Sequence, residues 1–71
     1  MIKVKDTKRL KAFGFDHDEN SGVFVKYVDA GSFVGVDEVN AEVYFLGDSA
    51  KLLDVFFDLQ AAGLLERVEG K

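Results

Sequence analysis

The sequence contains no cysteine and no proline among its 71 residues. Without cysteine it cannot form disulfides, thiolate zinc sites, iron–sulfur clusters or a cysteine nucleophile. Without proline, repeats or low-complexity tracts it has no sign of a linker, and 71 residues are enough for one domain but too few for two. We therefore expect one small domain that spans residues 1–71.

Long apolar runs are also missing, since no stretch approaches the roughly 18 residues that a membrane span needs. Hydrophobic residues make up 48% of the chain and charged residues 31%, a balance typical of a protein that folds in water. Lys3, Lys5 and Asp6 precede any apolar stretch of the length that a secretory signal requires. We therefore expect a cytoplasmic protein that does not contact a membrane.

The net charge of −4 is distributed unevenly. Residues 1–11 contain five basic side chains and one acid, whereas residues 12–71 contain four basic side chains and twelve acids. A basic arm could contact DNA, but the acidic remainder of the chain would repel the neighbouring phosphates. We therefore expect no nucleic-acid partner and favour a basic segment that lies against the acidic body of its own chain.

A short helix is predicted near the amino terminus, over residues 6–13, with Asp6 or Thr7 as its N-cap. Gly14 supplies the left-handed residue that ends it. If the helix ends in a Schellman motif, Phe15 folds back and makes an apolar contact with Leu10.

A longer helix is predicted over residues 49–62, which neither glycine nor proline interrupts. Its cap is Asp48 or Ser49, and Gly63 ends it. The same kind of stop would fold Leu64 back onto the last turn.

Between the two helices the hydrophobic periodicity changes to two. Residues 23–28, 32–36 and 41–46 are rich in β-branched and aromatic side chains, and turn residues separate them. Gly31 is expected to take the left-handed position of the first hairpin. The predicted fold is therefore α+β: a short amino-terminal helix, a three-stranded antiparallel meander and one long carboxyl-terminal helix packed on the sheet. Residues 64–69 are left open as a short fourth strand or a tail.

The segment that follows the first helix has the carboxylate spacing of a calcium loop, with Asp16, Asp18 and Asn20 at the first, third and fifth positions. The pattern then fails, because Ser21 replaces the glycine at position six and Tyr27 replaces the glutamate at position twelve. We predict no metal site and favour a solvated acidic loop, with cation binding there left as an alternative.

The sequence gives no grouping of catalytic residues. His17 is the only histidine, and the serines and the threonine are explained as turn or cap residues. The glycines do not form a phosphate-binding loop. We therefore predict no catalytic residues, no cofactor and no small-molecule ligand.

The long helix carries the strongest functional signal. At 100° per residue, its apolar side chains cover an arc of about 200°, which is wider than the stripe of roughly 100° that a helix buries on a sheet. The excess is either covered by the amino-terminal helix or exposed for a partner protein or a second copy of this chain. An open sheet edge could serve the same purpose. We predict a non-enzymatic interaction module whose surface includes Leu53, Val55 and Phe57.

An alternative function follows from the charge of −8 over residues 12–71. The protein would be an acidic inhibitor that occupies a basic, nucleic-acid-binding surface of another protein. The acids that could make those contacts are Asp16, Asp18, Glu19, Asp37, Glu38, Asp54 and Asp58.

Residues 10–15 (LKAFGF) and 52–66 (LLDVFFDLQAAGLLE) resemble segments of small uncharacterised proteins from prophages and related mobile elements of Gram-positive bacteria. Such proteins open with a short leucine–lysine helix, continue through two or three strands and close with a helix that ends in Ala-Gly-Leu. The resemblance implies a cytoplasmic accessory protein, and it assigns no activity and no site residues.

Overall fold

A computed structural model describes residues 1–69 of the chain. In this range there are six strands and two helical segments. In chain order they are β1 (Ile2–Val4), a 3₁₀ helix (Thr7–Phe13), β2 (Asp16–Asp18), β3 (Val23–Asp29), β4 (Ser32–Asp37), β5 (Val43–Leu46), α1 (Lys51–Ala61) and β6 (Leu65–Arg67).

The predicted three-stranded meander is wrong, because the main sheet has four antiparallel strands in the order β2-β3-β4-β5. The additional strand, β2, occupies the segment that was predicted to be an acidic loop. Asp16 pairs with Val25 and Asp18 pairs with Val23. Charged residues are compatible with this position because β2 is an edge strand, and its pairing satisfies backbone groups of β3 that would otherwise lack partners.

Residues 64–69, which the sequence left open, contribute a strand that does not join the main sheet. β6 instead pairs with β1, an amino-terminal strand that was not predicted, and Lys3 lies opposite Glu66. An isolated bridge between Lys3 and Glu42 then sets β1 beside the start of β5. The backbone N–H of Val4 strengthens this junction by donating to the carbonyl of Ala41 at 2.9 Å. The two sheets therefore lie side by side.

The amino-terminal helix is a 3₁₀ helix, and both of its ends have the predicted chemistry. Asp6 is the N-cap, and its carboxylate accepts the Lys8 N–H at 3.0 Å. Gly14 has a φ of 89°, and the Phe15 N–H donates to the Leu10 carbonyl at 3.2 Å. The predicted Schellman stop is confirmed.

The carboxyl-terminal helix, α1, is slightly shorter than predicted. Its N-cap is Ala50, which makes no side-chain bond, although the Ser49 hydroxyl accepts a backbone N–H of the first turn at 3.1 Å. At the other end the Leu64 N–H donates to the Leu59 carbonyl at 3.0 Å, next to Gly63 with a φ of 72°. The second predicted stop is also confirmed.

The helices pack on one face of the four-stranded sheet, which we call the inner face. In the observed register this face carries the side chains of His17, Phe24, Lys26, Val28, Val34, Val36, Val43 and Phe45. Val34 and Val36 are fully buried, together with Leu10 and Leu59 from the two helices. The core therefore lies between this face and the helices, as burial of one sheet face against a helical layer requires.

The β3–β4 hairpin differs from the prediction, because Gly31 does not have a positive φ. Its N–H instead donates to the Asp29 carboxylate at 3.1 Å. The left-handed glycine of this region is Gly47, with a φ of 106°. A Cβ on Gly47 would lie 2.5 Å from the Gly31 carbonyl oxygen and 2.7 Å from the Ser32 Cα, so the segment before α1 packs tightly against the hairpin.

Candidate functional site

The structure separates the three residues that were predicted to form an interaction surface. Leu53 and Phe57 lie one turn apart on α1, and each exposes 58% of its surface. Val55 is only 4% exposed and lies in the core. Residues two positions apart on a helix point in directions about 200° apart, so Val55 cannot share an exposed surface with its neighbours.

A shallow apolar groove of ≈ 280 Å³ borders Leu53. It is lined by Ile2, Phe45, Leu52, Leu53 and Phe56. The Phe56 ring lies 5.9 Å from the Phe45 ring and 5.8 Å from the Phe57 ring, in edge-to-face arrangements. We call Leu53, Phe56 and Phe57 the helix flank.

A larger apolar surface lies on the other side of the main sheet, on what we call the outer face. Its apolar side chains are Val23, Val25, Tyr27, Phe33, Tyr44 and Leu46, which alternate with residues of the inner face along β3, β4 and β5. None of these six side chains belongs to the buried core or packs against it. Tyr27, Tyr44 and Leu46 expose 71%, 42% and 47% of their surface.

The outer face has two chemically different ends. At the hairpin end Phe33 pairs with both Tyr27 and Leu46, and these three residues form what we call the apolar end. At the opposite end and on the β2 edge, the charged side chains that the main sheet carries on this face are all acids. We call these acids the carboxylate border: Asp16, Asp18, Asp37 and Glu42.

Gly35 lies at the centre of the outer face, where Val25 and Tyr44 flank it on the neighbouring strands. A Cβ at this position would lie 3.5 Å from Val23 Cγ1 and 3.8 Å from Phe33 Cε2, which are ordinary contact distances. The Phe33 ring, tilted against the Tyr27 ring at a centroid distance of 5.4 Å, therefore leans over the glycine. Such aromatic cover compensates for the side chain that a glycine in a strand lacks.

Each acid of the carboxylate border except Asp16 accepts a hydrogen bond from its own strand or turn. Asp18 accepts the Asn20 N–H at 3.0 Å, and Asp37 accepts the Val39 N–H at 2.7 Å. The Tyr44 hydroxyl donates to Glu42 Oε1 at 3.0 Å, which raises the pKa of Tyr44 because the carboxylate stabilises the protonated phenol. These bonds fix the position of the carboxylates, and their donors are uncharged groups.

Within residues 1–69 the only close contact between a basic and an acidic side chain joins His17 Nε2 to Glu38 Oε2 at 2.9 Å. None of the five basic side chains in residues 1–11 therefore makes an ion pair with an acid in the described range. Part of the basic segment nevertheless lies beside acids of its own chain, since Lys3 is opposite both Glu66 and Glu42 in the strand register. The backbone bonds of β1 and the burial of Leu10 hold the segment in place. The carboxylate border is likewise without an ion-pair partner in residues 1–69.

The candidate metal ligands Asp16 and Asp18 do not form a metal site, and the candidate catalytic residue His17 already has a hydrogen-bond partner. Asp16 and Asp18 are alternate residues of a strand, and residues 1–69 contain no group of three or more potential ligands that could hold a metal ion. His17 is half-buried on the inner face, its ring 4.7 Å from that of Phe24, and it is bonded to Glu38 rather than exposed in a loop. This hydrogen bond connects β2 to Glu38, the residue that follows β4.

The outer face was missed from the sequence, although a signal for it was present. Residues 23–28 and 32–36 are apolar at nearly every position, whereas a sheet covered on one side should alternate apolar and polar residues. Lys26 is the one charged residue within these two runs. It lies on the inner face, where its ammonium group donates to the Phe13 carbonyl at 2.6 Å at the end of the 3₁₀ helix.

Comparison of the chain with protein-family models, with curated proteins and with solved structures gives no match. No helix within residues 1–69 is long and apolar enough to cross a membrane. The class of the protein is therefore defined by its own geometry: a small α+β fold with one sheet face covered by helices and the other exposed.

Proposed function

We propose that the protein is a non-enzymatic protein-interaction module that docks a partner on its outer face. The proposal rests on one observation: six apolar side chains share a sheet face that the helices do not cover. Apolar patches on monomeric proteins that exceed a few hundred Å² mark interaction sites, and aromatic residues are enriched at the centres of such sites.

The dimensions of the outer face support this proposal. From Val23 to Tyr27 it extends about 13 Å along β3, and from β3 to β5 about 10 Å across the strands. Each aromatic side chain in this area offers roughly 150–250 Å² for burial when it is fully covered. The helix flank, with Leu53 and Phe57 as its only exposed members, offers less.

The polar groups of the chain support a binding role rather than catalysis. The Ser32 hydroxyl accepts the Ser49 N–H at 3.2 Å, and the Ser49 hydroxyl accepts the Lys51 N–H. These hydroxyls stabilise the connection between the hairpin and α1. In our proposal the module acts in the cytoplasm and originates from a prophage or mobile element, as the sequence resemblance implies, and the genes next to its own would test that origin.

Site-specific photo-crosslinking tests the docking surface. The crosslinking amino acid p-benzoylphenylalanine would replace Tyr27 and Leu46 on the outer face, one position at a time, in the cell that carries the gene. We expect both positions to yield the same covalent product, and an excess of unlabelled wild-type protein to suppress it. The product is identified by mass spectrometry.

Val39 is the matched control, because it is 91% exposed and lies in the turn after β4. It should give no such product. A product from Phe57 but from neither outer-face position would move the docking surface to the helix flank and overturn the proposal as stated. The absence of any product from all four positions would overturn the interaction module itself.

A further inference from the structure

The carboxylate border restricts which partner the outer face can accept. Its four acids lie along two sides of the apolar side chains, on the β2 edge and at the end opposite the hairpin. Within residues 1–69 none of them forms an ion pair. On the outer side of the strand register, Lys3 is the basic residue beside this border, and it lies between Glu42 on one side and Glu66 on the other.

A second copy of the chain does not complement this surface. If two outer faces meet with apolar end on apolar end, the acids of one copy face the acids of the other. If one copy is reversed, its carboxylates are pressed onto the apolar side chains of its partner. The first arrangement costs charge repulsion and the second costs desolvation of charge, so a homodimer through this face is disfavoured.

Nucleic acid is disfavoured for the same electrostatic reason. Exposed aromatic residues on a sheet, such as Tyr27 and Tyr44, can stack on bases, but the carboxylates beside them would repel the phosphates that flank each base. A protein surface that carries both apolar and basic side chains complements both parts of the outer face. Its apolar side chains pack on the apolar end, and its Lys or Arg side chains pair with the acids.

We propose that the outer face binds a basic protein segment whose apolar anchor residue lies about 13 Å from a group of Lys or Arg side chains. The inference rests on the proposed function and specifies the chemistry of its partner. The distance is the four-residue step along β3 from Tyr27, at the apolar end, to Val23, which pairs with Asp37. An extended segment spans it with an anchor and a cation four residues apart, on the same face of the strand.

The test uses a synthetic peptide, acetyl-Phe-Thr-Val-Thr-Lys-Thr-Lys-amide, whose alternate side chains place Phe, Val and two Lys on one face. Titration into the ¹⁵N-labelled protein should shift the amide resonances of Tyr27, Phe33 and Asp18. Raising the NaCl concentration from about 50 mM to about 500 mM should weaken binding about five-fold, because screening reduces the attraction between charges.

Two matched peptides separate charge from apolar contact. One replaces both Lys with Glu, and the other replaces Phe and Val with Ser. We expect neither to bind measurably at concentrations at which the first peptide saturates the protein. Equal binding of the Glu peptide would overturn the proposal, as would the absence of any shift with the Lys peptide at about millimolar concentration.

Matched variants locate the charges that matter. Asp16→Asn and Asp18→Asn each neutralise one acid of the border, and asparagine at position 18 keeps the oxygen that accepts the Asn20 N–H. Each should weaken the Lys peptide about three-fold. Asp54→Asn and Asp58→Asn on α1 make the same change away from the outer face and should leave the affinity unaltered. An equal loss from all four variants would mean that only net charge matters, which contradicts the proposal.

The outcome distinguishes this inference from the proposed function. If the crosslinked product at Tyr27 has the mass of two copies of the chain, the outer face is an interaction surface but its partner is not basic. In that case the inference fails while the proposed function stands. If the product is absent, the proposed function fails first.

Discussion

Both faces of the four-stranded sheet carry apolar side chains at their centre, but the two faces have different surroundings. The inner face buries Val34, Val36 and Val43 beneath the helices, whereas the outer face leaves Tyr27, Tyr44 and Leu46 exposed. An antiparallel sheet with one wet face normally carries polar residues there. The inner face therefore accounts for the stability of the fold, and the apolar character of the outer face needs a different explanation, which partner binding supplies.

The sharpest test of this difference is a pair of Leu→Ala substitutions. Leu59 is fully buried over the inner face, so Leu59→Ala should lower the free energy of unfolding by about 4 kcal/mol through lost burial and a cavity. Leu46→Ala, on the outer face, should cost less than about 1 kcal/mol. Urea denaturation followed by circular dichroism measures both. Similar losses from the two variants would mean that the outer face belongs to the folded core.

A pair of Gly→Ala substitutions compares a crowded backbone position, Gly47, with an open position on the outer face, Gly35. Gly47→Ala places a methyl group against the Gly31 carbonyl at a φ of 106°, and we expect a loss of about 3 kcal/mol. Gly35→Ala adds the same methyl to the centre of the outer face, where the nearest contact is 3.5 Å. It should change the free energy of unfolding by less than about 1 kcal/mol. A large decrease in the free energy of unfolding for Gly35→Ala would show that the outer face cannot accept an additional methyl group.

Lys26 and His17 are the basic side chains of the inner face. Lys26 connects the sheet to the end of the 3₁₀ helix through its hydrogen bond to the Phe13 carbonyl. Lys26→Met keeps the apolar stem but removes the donor to the Phe13 carbonyl, so it should cost about 1 kcal/mol. Hydrogen exchange should increase mainly in the 3₁₀ helix. The matched variant Lys51→Met, an exposed position on α1, should have no comparable effect. If Lys26→Met leaves exchange in residues 7–13 unchanged, the hydrogen bond does not hold the helix end.

The smallest expected effect is a titration on the outer face. The pKa of Tyr44 is raised by its hydrogen bond to Glu42, so Glu42→Gln should lower it toward the ordinary value. Because the folded state holds this proton more tightly, the stabilisation from the bond is present below the ordinary tyrosine pKa and is lost as pH rises through the folded value. Ultraviolet difference spectra of a Tyr27→Phe background would isolate Tyr44. An unchanged titration after Glu42→Gln would show that the two groups do not interact in solution.

Local chemistry made several parts of the fold predictable. Gly14 and Gly63 end their helices with the expected hydrogen bonds, because a left-handed glycine followed by an apolar residue determines a helix stop within six residues. The three apolar runs formed β3, β4 and β5. Of the three residues predicted as a surface, the structure leaves Leu53 and Phe57 exposed.

Other features depended on contacts that no local pattern contains. Asp16 to Asp18 became a strand only because the edge of β3 was available, and β1 found its partner in β6, where the Val68 N–H donates to the Met1 carbonyl at 2.9 Å. A short strand has little preference of its own, since its hydrogen bonds are made entirely with another segment.

Local sequence patterns were enough to predict where both helices stop, that the three apolar runs are extended and how much apolar surface the chain carries. Where that surface is exposed depended on how the elements pack together. The helix arc suggested an excess on α1, but Val55 is buried, and the larger excess lies on the sheet around Phe33 and Gly35. Hydrophobic burial has no direction, so a residue pattern determines only which side chains prefer to leave water. The packing of helices against one face of a sheet then selects which of them do.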